Sequence, residues 1–250
     1  MKWISFAFVA FLSGCVTTTK SAEQATLHLQ LAISLIQKEN YPLALQELLT
    51  SQELDSTNPN TQSYLGFVYF VRERFDFAEK HYKKAIDLSP KFTDAKNNLA
   101  RVYIETAQNA AAEKILNEVL QDYTYVDFPR AYFNYGLLEF NRKNFQKSLS
   151  YFNKTVEKDR DNCLANVYIG RNFLELSQNA MAAEQLNKAI QFCEPFLVDD
   201  AHYYDAIALF RNNQKDLAVV RFQELLKIYP SGKNRDNAKK MLDVIRKGNL

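Results

Sequence analysis

Glycine and proline are scarce in this chain. There are six of each in 250 residues, where average usage would supply about three times as many glycines and twice as many prolines. A Rossmann-type fold needs glycines in its phosphate loop and a β-sandwich needs them at its turns, so both are disfavoured. An excess of one charge is also missing: 31 Lys and Arg stand against 29 Asp and Glu, a formal net charge of +2. That balance argues against a nucleic-acid binder, whose affinity comes from neutralised phosphates. Catalytic constellations are missing too. His28, His81 and His202 form no HExxH pair and join no Cys-x-x-Cys cluster, and neither a G-x-S-x-G elbow nor a Walker loop occurs. The composition therefore points away from an enzyme and calls for no cofactor or metal. What is present is apolar: 47% hydrophobic and 13% aromatic residues, enough to bury a core. An apolar chain with so few turn residues reads as all-α.

The first residues form a separate object. Met1-Lys2 is a short basic start, and Trp3 to Leu12 is an apolar run too short to span a bilayer. Leu12-Ser13-Gly14-Cys15 resembles the lipobox of bacterial lipoproteins, in which Cys15 becomes the lipidated first residue after residues 1–14 are removed. An ordinary cleaved signal with a chance cysteine is the alternative. Lipidation by several acyl chains would anchor the protein durably. Val16 rather than Asp follows the cysteine, which suits onward transfer to the outer membrane, facing the periplasm. Residues 15–24 are polar and lack apolar periodicity, so they read as a tether.

The remainder is repetitive. Ala32, Gly66, Ala100, Gly136, Gly170 and Ala206 are spaced 34, 34, 36, 34 and 36 residues apart. Twelve residues after each comes a second small residue: Ala44, Ala78, Ala112, Ser148, Ala182 and Ala218. A third series in the same register is large: Leu48, Tyr82, Leu116, Phe152, Leu186 and Phe222. The pattern resembles the tetratricopeptide repeat, a 34-residue helix-turn-helix. Leu65, Gly66, Tyr69, Ala78, Tyr82, Ala85 and Pro90 make the fullest match. The small residues at repeat positions 8 and 20 would let the two helices of a pair approach. The resemblance implies a right-handed superhelix of about six helix pairs over residues 25–232, namely 25–58, 59–92, 93–128, 129–162, 163–198 and 199–232. A capping helix over 233–250 follows, because a terminal repeat needs a solvating end. Longer junctions are expected around Tyr123 to Pro129 and Glu194 to Leu197.

Cys163 and Cys193 fall at positions 1 and 31 of the fifth repeat, two ends that antiparallel packing brings together. Export would place them in an oxidising compartment, where a disulfide persists; two buried free thiols are the alternative.

Positions 2, 5, 9, 12 and 13 of each repeat line the concave face in this family. They supply an apolar floor of Phe67, Phe70, Phe133, Leu137 and Phe140, flanked by Arg101, Arg130 and Arg171, with Ile33 and Ile36 in the first repeat. The Lys and Asn set that grips a terminal carboxylate is absent. Aromatic and Arg side chains are the usual anchors of interfaces, and such a groove suits an amphipathic segment of a protein partner.

A lipoprotein with six such repeats and a closing helix is similar to the PilF/PilW/Tgl family of type IV pilus biogenesis proteins. The Asn97-Asn98-Leu99 and Ala189-Ile190-Gln191-Phe192-Cys193 segments resemble family wording, whereas Glu105-Thr106-Ala107-Gln108 departs from the Gly and Cys of its third inner turn. The resemblance implies a pilotin that brings secretin subunits to the outer membrane, with first-repeat contacts through Ile33, Ile36, Phe67 and Phe70. An adaptor for β-barrel assembly or for cell-wall enzymes is the alternative implied function.

Overall fold

The computed structural model describes residues 13–247, with side chains from Lys20 onward. The expected signal peptide therefore lies almost wholly outside the described residues, as does the Cys15 side chain. Thirteen α-helices and one 3-10 turn make up the described residues, with no strand among them. They pair in chain order: α1 (Ser13–Gln37) with α2 (Tyr41–Leu54), and α3 (Pro59–Val71) with α4 (Phe75–Leu88). α5 (Thr93–Glu105) and α6 (Asn109–Gln121) follow in the chain, and α7 (Phe128–Asn141) pairs with α8 (Phe145–Lys158). Last are α9 (Cys163–Glu175) with α10 (Asn179–Cys193), α11 (Asp200–Arg211) with α12 (Lys215–Ile228), and a final α13 (Arg235–Lys247). By internal contact the chain divides into two compact units, the first ending at Ile115 and the second starting at Leu116.

Residues 15–24, read as a tether, are helical, as α1 runs through them into the first repeat. Its polar run has little apolar face to show a period. The helix is held instead by a hydrogen bond from Ser21 Oγ to the Leu54 carbonyl at 2.9 Å, and by the buried Ala25.

The six inner turns contain no glycine. Each of the six inner turns has one residue in the left-handed region: Glu39, Glu73, Ala107, Lys143, Ser177 and Asn213, with φ between 57° and 63°. The geometry repeats. Glu73 N–H donates to the Phe70 carbonyl and Arg74 N–H to the Tyr69 carbonyl, both at 2.9 Å, and the same pair closes the other five turns. Two nested bonds satisfy the last carbonyls of the first helix, so the turn holds its shape although five of the six residues are neither Gly nor Asn.

The small residues at position 8 are set by a different neighbour from the one expected. A Cβ on Gly66 would lie 2.8 Å from the Tyr82 ring, and one on Gly136 would lie 2.8 Å from the Phe152 ring. Gly170 faces Leu186 in the same way. The large residue sixteen positions on, in the partner helix, therefore limits the first helix. Position 20 contributes too, where Ser148 Oγ donates to the Gly136 carbonyl at 2.9 Å.

Caps mark several helix starts. Asn58 Oδ1 accepts from the Asn60 and Thr61 amides ahead of Pro59, and Asn162 Oδ1 accepts from the Ala165 amide at 2.9 Å. Such caps are worth about 1 kcal/mol each. Asp199 behaves otherwise. Its carboxylate makes no cap bond and instead accepts from Asn234 N at 2.7 Å and Asn234 Nδ2 at 3.0 Å, fastening the start of α13. Buried Glu139 ties an inner turn, accepting from Lys147 Nζ at 2.7 Å and Asn144 Nδ2 at 2.8 Å.

Cys163 and Cys193 form a disulfide across the fifth pair, with their Cα atoms 4.8 Å apart. The junction after α10 is the 3-10 turn Glu194–Phe196, and Leu197 beyond it has φ of 53°.

Candidate functional site

The expected partner-binding residues lie on the first helices of the pairs, and each unit presents its own set. In the first unit, Ile33 and Ile36 of α1 and Phe67 of α3 are half-buried against the core of Leu29, Ala32, Ala44, Leu48, Leu65 and Val68. Tyr41 leans on Phe67 with ring centroids 6.5 Å apart, and Phe70 leans on Phe75 at 5.6 Å. Ile33, Ile36, Phe67 and Phe70 all stay partly exposed, and Val71, next to Phe70, is exposed. Arg101 of α5 lies over Phe70, its Cζ 5.9 Å from the ring centroid, and its Nε donates to Glu105 at 2.8 Å. The helical i,i+4 spacing makes that ion pair local.

The second unit corrects two expectations. Phe133 and Leu137, expected in an open floor, are buried at 9% and 4% exposure. Phe133 sets its edge on Phe152 at 5.4 Å and on Tyr168 at 6.2 Å, so it fills the space between the fourth and fifth pairs. Arg130 sits at the start of α7. Its Nε pairs with Asp127 at 3.1 Å and its Nη2 reaches the Tyr125 hydroxyl at 3.4 Å, which holds it at the capped start of α7.

Phe140 and Arg171 do come together. The Arg171 guanidinium lies 4.7 Å from the Phe140 ring centroid, 4.5 Å from Tyr168 and 4.5 Å from Tyr204. All three are inside the roughly 6 Å range of cation–π attraction. Tyr168 is the fixed wall of this cage: it stacks on Phe152 at 5.0 Å and takes the edge of Phe140 at 5.2 Å. Tyr204 is braced by Tyr203 at 5.3 Å. Burial pushes the Tyr204 hydroxyl above the usual phenol range, with Arg171 pulling the other way, so the ring is neutral near pH 7.

Tyr168 and Tyr204 were not among the expected site residues. The available signal was geometric: an Arg at position 9 with an aromatic three residues earlier, one at position 6 of the next repeat and one at position 12 of the previous repeat.

The histidines are structural. His28 Nδ1 lies 2.5 Å from Glu47. His81 stacks on Tyr69 at 5.3 Å, its Nδ1 is 2.8 Å from Gln62 Oε1, and burial with Lys80 and Lys84 nearby lowers it to about 4. His202 is buried against Tyr229, and burial lowers it as well. Among the described residues, no group of three or more His, Cys, Asp or Glu could hold a metal ion. No helix among them is long and apolar enough to cross a membrane.

Two segments, residues 72–124 and 200–232, match models of the tetratricopeptide repeat. The fold is a tetratricopeptide-repeat array. Among curated relatives, the type IV pilus assembly protein PilF of Pseudomonas aeruginosa is 25% identical over 165 residues, which is 62% of this chain and 66% of that protein. The chain spans less than two thirds of the length of the curated relatives it matches. Among solved structures, PilW, described as a widely conserved type IV pilus biogenesis factor, superposes with a TM-score of 0.76. It is 16% identical, over 85% of this chain and 97% of its own. The structure of pilF from Pseudomonas aeruginosa gives a TM-score of 0.70 and 18% identity over 89% of this chain and 99% of its own. The array is thus similar, at low identity, to tetratricopeptide proteins of type IV pilus biogenesis.

Proposed function

We propose that this chain is a lipid-anchored, non-enzymatic scaffold at the outer membrane that promotes secretin assembly during type IV pilus biogenesis. The observation that carries the reading is the set of half-buried apolar side chains Ile33, Ile36, Phe67 and Phe70, which stay partly exposed on the first helices of the first unit. A set of this kind binds an amphipathic partner segment, whose apolar face covers it. The similarity to PilF directs the choice of partner toward the pilus machinery. The Leu12-Ser13-Gly14-Cys15 sequence supports lipidation at Cys15 and with it a periplasm-facing anchor.

In cells, Phe67→Arg with Phe70→Arg leaves the helical circular-dichroism spectrum unchanged and removes most secretin multimer from semi-native gels. Unchanged multimer in a folded variant refutes the reading. Crosslinked pulldown of the anchored protein separates the alternatives, since recovery of a β-barrel assembly factor or a cell-wall hydrolase in place of a secretin reassigns the scaffold. Cys15→Ser moves the protein from the membrane to the soluble fraction if the anchor is there.

A further inference from the structure

We infer that Arg171, with Phe140, Tyr168 and Tyr204 around it, is a receptor for a side-chain carboxylate in an apolar segment of a protein partner. The inference rests on the scaffold reading above and adds the chemistry of one contact. The three rings approach the guanidinium carbon at 4.5–4.7 Å. A guanidinium carries five N–H donors in a planar fork that suits a carboxylate. Arg171 makes no hydrogen bond or ion pair among the described residues. Glu175 lies four residues on, at the spacing by which Arg101 binds Glu105, yet no ion pair joins it to Arg171. Neutral Tyr204 supplies no counter-charge either. The cage therefore holds a partly dehydrated cation whose charge nothing in the described chain neutralises.

That charge selects the occupant. A carboxylate matches the flat guanidinium edge in bidentate fashion. The rings beside it, Phe140 with Phe145 packed on it at 5.6 Å, offer apolar contact to the residues flanking that carboxylate. One guanidinium among rings, without a surrounding Lys and Asn set, fits an Asp or Glu within a segment and not a chain end. Because Tyr168 is pinned by Phe152 and Phe140, little ordering is needed on binding.

The test is selection of random dodecapeptides fused by their C-termini to a phage coat, so that no chain-end carboxylate is offered, against the full chain. The expected result is enrichment of sequences with Asp or Glu beside an apolar residue, and loss of that consensus with Arg171→Met. A selected peptide, made as its C-terminal amide, binds Arg171→Lys about tenfold more weakly by fluorescence anisotropy. Replacing its acid by the amide residue costs the same factor, and combining the two changes adds nothing further. Arg171→Lys keeps the charge and stem, and its melting curve shows whether the cage still folds. No enrichment, a consensus without an acid, or a consensus unchanged in the Arg171 variants overturns the proposal. The secretin assay fails separately: an acidic consensus with normal multimer in the Phe67/Phe70 variant retains the cage and rejects that partner.

Discussion

Arg101 and Arg171 occupy the same repeat position, one in each unit, and each is followed four residues later by a glutamate. Arg101 takes that glutamate at 2.8 Å and only grazes Phe70 at 5.9 Å. Arg171 leaves Glu175 and inserts among three rings at 4.5–4.7 Å. The difference is made by neighbours: the fourth pair supplies Phe140 and the sixth supplies Tyr204. An identical local pattern thus yields a neutralised, solvent-side ion pair in one unit and an open cation in the other. The first unit presents a set of half-buried apolar side chains, and the second presents a charge framed by rings.

The disulfide sharpens this contrast most, since it belongs to the second unit and closes a separation of 30 residues. Cys163→Ala with Cys193→Ala is expected to lower stability by about 3–4 kcal/mol in the chain-entropy model. Hydrogen exchange should quicken in α9 and α10 and stay unchanged in α3 and α4; uniform quickening would show that the two units unfold as one.

Acid should act with opposite signs on two buried groups, His81 in the first unit and Asp205 in the second. His81 has its folded-state value lowered to about 4 by burial. The stability it contributes is complete above 6.5 and is lost as pH falls toward 4, by up to about 3 kcal/mol. In the second unit, burial raises Asp205 to about 6 despite its 2.7 Å bond from Arg221 Nε. Its contribution is complete below the ordinary carboxylate value and is lost as pH rises through 6, by a similar amount. Relative to wild type, His81→Gln should therefore become the more acid-resistant variant and Asp205→Asn the more acid-sensitive one. Urea titrations at pH 7 and 4.5 read the difference, and shifts of the same sign would sink the contrast.

A smaller effect separates the two arginines in the absence of any partner. Arg171→Met should lower stability by about 1–2 kcal/mol through lost ring contacts. Arg101→Met should change it by less than about 1 kcal/mol, as for other exposed ion pairs. Equal losses in denaturant melts would mean that the cage adds nothing to the fold.

The smallest expected effect tests what the units share. Ala107→Gly in one and Lys143→Gly in the other relieve a left-handed residue at φ of 58° and 63°. Each should gain up to about 1 kcal/mol, reduced by the extra freedom of the unfolded chain. Matching gains confine the difference between units to their side chains.

These inner turns also mark where the sequence was silent. Small residues every 34 or 36 positions made the helix pairs legible, because Gly66 and Gly136 have no room for a Cβ beside Tyr82 and Phe152. The turns were not legible as left-handed, since nested backbone bonds hold Glu39, Glu73 or Lys143 there without the usual glycine. At the site, Phe67, Phe70 and Phe140 could be placed from repeat position alone. Phe133 could not, because its burial depends on Phe152 and Tyr168, one on its partner helix and one in the next pair. Position within a repeat assigns a face, whereas packing between repeats decides which side chains on that face stay open.

The claim that the two arginines differ in function is tested most directly by one anisotropy titration. A selected acidic peptide is measured against wild type, Arg101→Lys and Arg171→Lys under the same conditions. The account predicts binding about tenfold weaker for Arg171→Lys and nearly unchanged for Arg101→Lys. Equal weakening in both variants, or none in Arg171→Lys, would contradict it.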